Sequence, residues 1–177
     1  MFILYGVVAG LAVGLLAGGR IERLADLRIR WAWLAIAALA AQVVLFLPSV
    51  GDALGPVAPW VYAGSSAAIF AVILANMRVP GLALVAAGAA CNLAAIIANG
   101  GYMPVSAGAL ASLGWDEPPG YSNSAAVADP ALAPLTDLFA MPPWLPFANV
   151  FSLGDVLIAV GIAATIALAM RRARREA

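Results

Sequence analysis

The sequence predicts an all-α integral membrane bundle of five transmembrane helices with one long extracytoplasmic loop. Three observations predict it. Of 177 residues 64% are hydrophobic and only 10% charged, against roughly 45–50% and 25% in soluble domains. Five stretches, at about 2–19, 31–47, 60–77, 81–98 and 154–170, are apolar with no charge in the middle. All nine cationic residues are arginines, and every one falls between or after these stretches on one side. Together these describe a single transmembrane domain over 1–177.

A lipid-exposed backbone must hydrogen-bond within its own helix, so a crossing needs about 20 mostly apolar residues. The first stretch has no positive residue before it and its arginines begin only at Arg20, so it reads as a retained helix rather than a secretory signal. Within it Gly6, Gly10, Gly14 and Gly18 recur every four residues, a smooth stripe where a second backbone can come close. That partner is either another span or another protein; Gly64, Ser65 and Ser66 in span three and Gly88 in span four are the small-residue counterparts the sequence offers. Residues 21–30 place Ile21, Leu24, Leu27 and Ile29 beside four arginines, as expected of a short interfacial helix.

Orientation follows from charge. Arg20, Arg23, Arg28 and Arg30 lie between spans one and two, Arg78 between three and four, and Arg171, Arg172, Arg174 and Arg175 after span five. Cationic loops stay cytoplasmic, which puts the N-terminus outside and the C-terminus inside. Asp52, Asp116, Glu117, Asp129, Asp137 and Asp155 fall on the opposite face. The arginines adjoin hydrophobic spans, so anionic lipid headgroups are their expected partners; with no basic domain to form a footprint, nucleic acid is not expected. Trp31, Trp33, Trp60, Trp115 and Trp144 mark interfaces.

Composition also removes chemistries. Without histidine there is no imidazole-held haem or zinc, no Ser-His-Asp triad and no imidazole relay, and the single Cys91 allows no internal disulfide. No cofactor or metal is expected. Gln42, Asn92 and Thr165 are polar groups at depth that either bond across helices or line a small cavity. Asn92 and Asn99, seven apart, share a helix face running to the outer surface.

Residues 99–153 carry four acids, no bases and eight of the twelve prolines. A loop this long is a lid, a binding segment or disordered, with disorder centred on Pro118-Pro119-Gly120 and Ser122-Asn123-Ser124 within 106–131. Asn99-Gly100-Gly101-Tyr102-Met103-Pro104-Val105 predicts a tight turn. The stretch 132–150 is so apolar that it belongs in the headgroup layer or just below it.

Asn99 to Val105, then Leu135-Thr136-Asp137-Leu138-Phe139, Pro142-Pro143-Trp144-Leu145-Pro146 and Ser152-Leu153-Gly154-Asp155, resemble an uncharacterised, domain-of-unknown-function family of small bacterial multi-pass membrane proteins. That resemblance spans essentially the whole chain and implies a bacterial inner membrane, with no reaction attached. A narrower one is to the C-terminal part of signal peptidase II. Asp137-Leu138-Phe139 is similar to one of its aspartate elements, and Pro146-Phe147-Ala148-Asn149 followed by Gly154-Asp155, Ile158 and Gly161 to the other. By that resemblance Asp137 and Asp155 are a catalytic pair.

Two function classes follow, the first as the leading reading and the second as its alternative. One is a non-enzymatic integral subunit or lipid-binding protein whose loop forms a shallow ligand site from Asn99, Gly100, Gly101, Tyr102, Asn149 and Ser152, with Asp137 nearby. The other is a membrane-embedded aspartyl hydrolase using Asp137 and Asp155, in which two crowded carboxylates share one proton. A small-solute transporter ranks third, since no ionisable residue lies at mid-membrane. Each acid also has a plain structural role available. Ser152 and Asp155 fit a helix capping box, which can coexist with catalysis, and Asp137 can be a solvated loop acid or a cap formed with Thr136.

Overall fold

A computed structural model describes residues 2–115 and 124–171. Among them the chain is mostly helical, in the order α1 (Ile3–Leu16), α2 (Ala32–Leu45), α3 (Pro48–Leu54), α4 (Ala58–Ala75), α5 (Leu82–Ala98), β1 (Met103–Val105), α6 (Ala107–Ser112), β2 (Ser124–Ala126), β3 (Phe139–Ala140), β4 (Val150–Phe151) and α7 (Leu153–Arg171). Arg172, Arg174, Arg175, Asp116, Glu117, Pro118, Pro119, Gly120, Ser122 and Asn123 lie outside the described residues.

Every stretch expected to span is helical, but length separates them. The helical run Ser49–Ala75 and α7 are long and apolar enough to cross a membrane. The helices α1, α2 and α5 are as apolar but have 14, 14 and 17 residues. Span three begins earlier than its hydropathy predicts, because Pro48 and Pro59, each in the first turn of its helix, allow α3 to lead almost directly into α4 through a 3₁₀ turn.

The helix α7 is the centre of the packing. It lies against α1 on one side and α5 on the other, with α4 beside α5 and α2 outermost against α4. Glycine makes both approaches to α7 possible. A Cβ built on Gly6 would sit 2.5 Å from the Ala159 carbonyl oxygen, and one on Gly10 2.8 Å from the Ala163 Cα. Gly14 meets the Met170 side chain. The counterpart of the stripe within the chain is therefore α7, not the small residues of spans three and four. Gly18 does not extend the stripe: its φ of +75° lies just past the helix end and a Cβ built on it would meet nothing within 4 Å, so Gly19 makes the next contact, with Met170. Gly88 of α5 also faces α7, at Gly154 and Ile158, while Gly64 is open.

Of the polar residues within the apolar helices, Gln42 bonds across helices, whereas the Thr165 hydroxyl donates within α7, to the Gly161 carbonyl at 2.8 Å. Gln42 Nε2 donates to Ser65 Oγ at 3.0 Å and Ser66 Oγ at 3.2 Å, joining α2 to α4. Asn76, 5% exposed, accepts from the Arg30 amide and donates to the Arg30 and Val72 carbonyls, fastening the first interhelical connection to the end of α4. The expected interfacial helix over 21–30 is shorter and tighter, a 3₁₀ turn at Ile21–Asp26. It sits under the end of α7, whose Met170 carbonyl accepts from the Arg20 amide at 2.9 Å and from Arg23 Nη1 at 3.1 Å.

Strictly all-α is not what the segment between α5 and α7 builds. Among its described residues it carries four short strands, β1 parallel to β2 and β3 antiparallel to β4, with Phe139 opposite Phe151 and Ala140 opposite Val150. Asp137 forms a further parallel bridge with Val105. The reason is backbone hydrogen bonding: Met103, Pro104 and Val105 are all buried, and buried amides and carbonyls of a non-helical segment need partners from elsewhere in the chain. The loop supplies them by pairing with itself.

Candidate acid-pair site

The site begins at the N-terminus of α7, where the first amides of the helix lack intrahelical acceptors. Ser152 and Asp155 supply them reciprocally. The Asp155 amide donates to Ser152 Oγ at 3.1 Å, and the Ser152 amide donates to Asp155 Oδ2 at 3.2 Å, a closed capping box as the S-x-x-D spacing predicts. A third residue joins from α5. Asn92 Nδ2 donates to Asp155 Oδ1 at 2.8 Å, and its own Oδ1 accepts from the Ser152 hydroxyl at 2.9 Å. Ser152 is completely buried. Gly88 and Gly154 let the two helices close far enough for this ring to form, since a Cβ on Gly154 would strike the Asn92 side chain and the Gly88 carbonyl.

Asp137 arrives from the other direction. Its amide donates to the Pro104 carbonyl at 3.0 Å and its carbonyl accepts from the Ser106 amide at 3.0 Å, so the buried strand β1 grips it on both sides. Its side chain is not the solvated loop acid of one sequence reading, because the residue is only 6% exposed. Nor does Thr136 cap it: the Thr136 hydroxyl donates to the Ala133 carbonyl. Its Oδ1 is buried with no hydrogen-bond partner. Desolvation, with the negative charge of Asp155 adding to it, pushes the Asp137 carboxyl up to about 7. Arg20 and Arg23 sit at the far end of α7, against the Met170 carbonyl.

An aromatic wall adjoins the acids. Phe151, beside Ser152, stacks on Phe2 at 4.3 Å and on Phe139 at 5.5 Å between ring centroids, and the Tyr5 hydroxyl donates to the Pro146 carbonyl. Between β3 and β4 the connecting turn exposes Trp144 and Phe147, the latter with a φ of +58°.

The expected ligand residues divide. Ser152 is in the ring with Asp155. Asn99 is engaged elsewhere, since its amide donates to the Ala95 and Ala131 carbonyls and its Oδ1 accepts from the Ala131 amide, which pins the loop to the end of α5. Gly100 and Gly101, with φ of +70° and +92°, make the tight turn, and Gly101 lies against Pro59. Tyr102 is half-buried, and Asn149 donates to the Val150 carbonyl. Among the described residues no three of His, Cys, Asp and Glu come together as a metal would need. The residue sequence reasoning did not place in the site is Asn92. Its signal was a lone amide in the middle of an apolar helix, but nothing local pairs it with a residue 63 positions later.

The profile of DUF5317, a family of unknown function, matches residues 26–167, four-fifths of the chain. The chain belongs to that family. In this DUF5317 member the matched region takes in Asn92, Asp137, Ser152 and Asp155 and leaves out α1. Neither the curated proteins nor the solved structures gave a match.

Proposed function

We propose that this chain is a multi-pass protein of a bacterial inner membrane, N-terminus outside and C-terminus inside, whose acid pair at the outer surface hydrolyses an acyl or peptide bond presented at the lipid interface. The five apolar helices, with the described arginines on the side away from Asp137 and Asp155, support the topology. The anionic headgroups of the inner leaflet are the natural partners of the arginines. One observation carries the chemical reading: Asp137 is buried with an unpartnered oxygen, within the field of the Asp155 carboxylate. Two such groups in an apolar setting hold a single proton between them near neutrality.

That is the state a hydrolase of this type needs. The ionised member takes a proton from water as its oxygen attacks the carbonyl carbon, and the protonated member gives its proton to the carbonyl oxygen. When the tetrahedral intermediate collapses, the C–N or C–O bond breaks, the leaving atom takes the proton that the base had drawn from water, and one hydroxyl of the intermediate returns its proton to the other acid, which restores the pair with its single proton. The aromatic wall and the exposed Leu138 and Leu153 flank the two acids with apolar surface suited to a substrate held in lipid.

A second reading rests on a different observation. Both Asp155 oxygens are already bonded within the cap, which leaves Asp137 alone to offer a proton to a ligand, as in a non-enzymatic binding protein or subunit. One experiment separates the two. The protein is reconstituted in phosphatidylglycerol and phosphatidylethanolamine vesicles with a panel of N-acylated peptides and acyl esters, and cleavage is followed by mass spectrometry. The hydrolase reading expects cleavage that falls about 10²–10⁴-fold in both Asp137→Asn and Asp155→Asn. Retention of any panel compound that requires Asp137 but not Asp155, without cleavage, favours the binding reading.

A further inference from the structure

The two acids are held very differently, and the difference reaches back to one side chain. Asp155 receives an N–H donor on each oxygen, Asn92 Nδ2 on one and the Ser152 amide on the other. Asp137 receives none on its buried Oδ1. N–H donors bond the carboxylate form best, so whichever acid has them retains the charge and the other takes the shared proton. Of the two donors the Ser152 amide is backbone and comes with any capping box. The Asn92 donor does not. It crosses from α5, and its direction is set because the Ser152 hydroxyl donates to its Oδ1, which leaves only the NH₂ side facing Asp155.

We infer that Asn92 is a positioning residue that makes the pair asymmetric, holding Asp155 as the base and leaving the proton on Asp137 as the acid. The inference deepens the acid-pair reading and rests on it. Packing is consistent with this assignment, since the contact is built at glycines: Gly88 and Gly154 bring the helices together where the amide reaches across. At Asp137 the field that adds to burial is that of the Asp155 carboxylate.

Infrared spectroscopy of the full chain in lipid nanodiscs at about pH 6 reads the protonated carboxyl directly, with no substrate. Wild type is expected to show one protonated-carboxyl C=O band, lost in Asp137→Asn and kept in Asp155→Asn. In Asn92→Ala a second band is expected to grow as the first loses about half its intensity, and the second is to vanish in Asn92→Ala/Asp155→Asn. Ser152→Ala, which frees the Asn92 amide to turn, is expected to give the same second band more weakly, and it keeps the test open should Asn92→Ala not fold. A band lost in Asp137→Asn but identical in position and intensity to wild type in Asn92→Ala and Ser152→Ala overturns the role of Asn92 and leaves the pair standing. Absence of any band sensitive to Asp137→Asn overturns the acid-pair reading and the inference with it.

Discussion

The two ends of α7 face the same problem and resolve it in opposite ways. At the C-terminal end the orphan carbonyl of Met170 takes the Arg20 backbone amide and the Arg23 guanidinium, the latter a cation beside the negative end of the helix dipole. At the N-terminal end Ser152, Asp155 and Asn92 form a closed ring, also well matched to the dipole, yet Asp137, which feels the charge of Asp155, keeps a buried oxygen with no donor. A structural terminus satisfies its groups. A terminus that places an unsatisfied carboxyl next to a satisfied one carries a cost that stability alone does not explain, and this is the pattern expected where chemistry is done.

The comparison is tested most strongly by pH. Asp137 holds its proton up to about 7 in the folded chain, whereas an ordinary carboxyl releases it near 3.8. The folded state therefore binds more protons across that interval, so stability is greatest at its acid end and is lost as pH rises through it, levelling off above about 7. The loss is on the order of 4 kcal/mol at most. Thermal unfolding of the detergent-solubilised protein across this range should show the slope, and Asp137→Asn should flatten it. A wild-type slope unchanged by that substitution would remove the contrast between the two ends.

Next in size is the helix contact on which the ring depends. Gly88→Val forces a side chain against the Ile158 backbone nitrogen and should cost about 3 kcal/mol, read as a lower melting temperature and a weaker infrared distinction between the acids. Ser152→Ala removes one half of the capping box and should cost about 1 kcal/mol. Gln42→Leu, remote from both ends, should cost about 0.6 kcal/mol by loss of its serine bonds. Arg23→Ala should be the mildest, at about 0.5 kcal/mol, because the Arg20 amide still serves Met170. If Arg23→Ala proved as costly as Ser152→Ala, the far end would be less redundantly satisfied than its two donors imply.

Much of this was legible along the chain, because hydropathy, glycine spacing and capping are local. The apolar helices, the turn at Gly100 and Gly101 and the Ser152–Asp155 box all follow from residues within a few positions of each other. What glycine periodicity could not tell was its partner, which is α7 and not α4 or α5, since a smooth stripe fits any second smooth surface. Asn99 looked like a ligand residue for the same reason: a polar side chain at a turn has no local sign of the backbone it will bind, here Ala131.

Composition and spacing thus determined the apolar character of the helices and the identity of the two acids, because hydropathy and charge are properties of residues. Only the tertiary structure decided that Asp137 is starved of donors while Asp155 has two. That outcome depends on β1 gripping one backbone and α5 delivering one amide, contacts between segments far apart along the chain that no local pattern encodes.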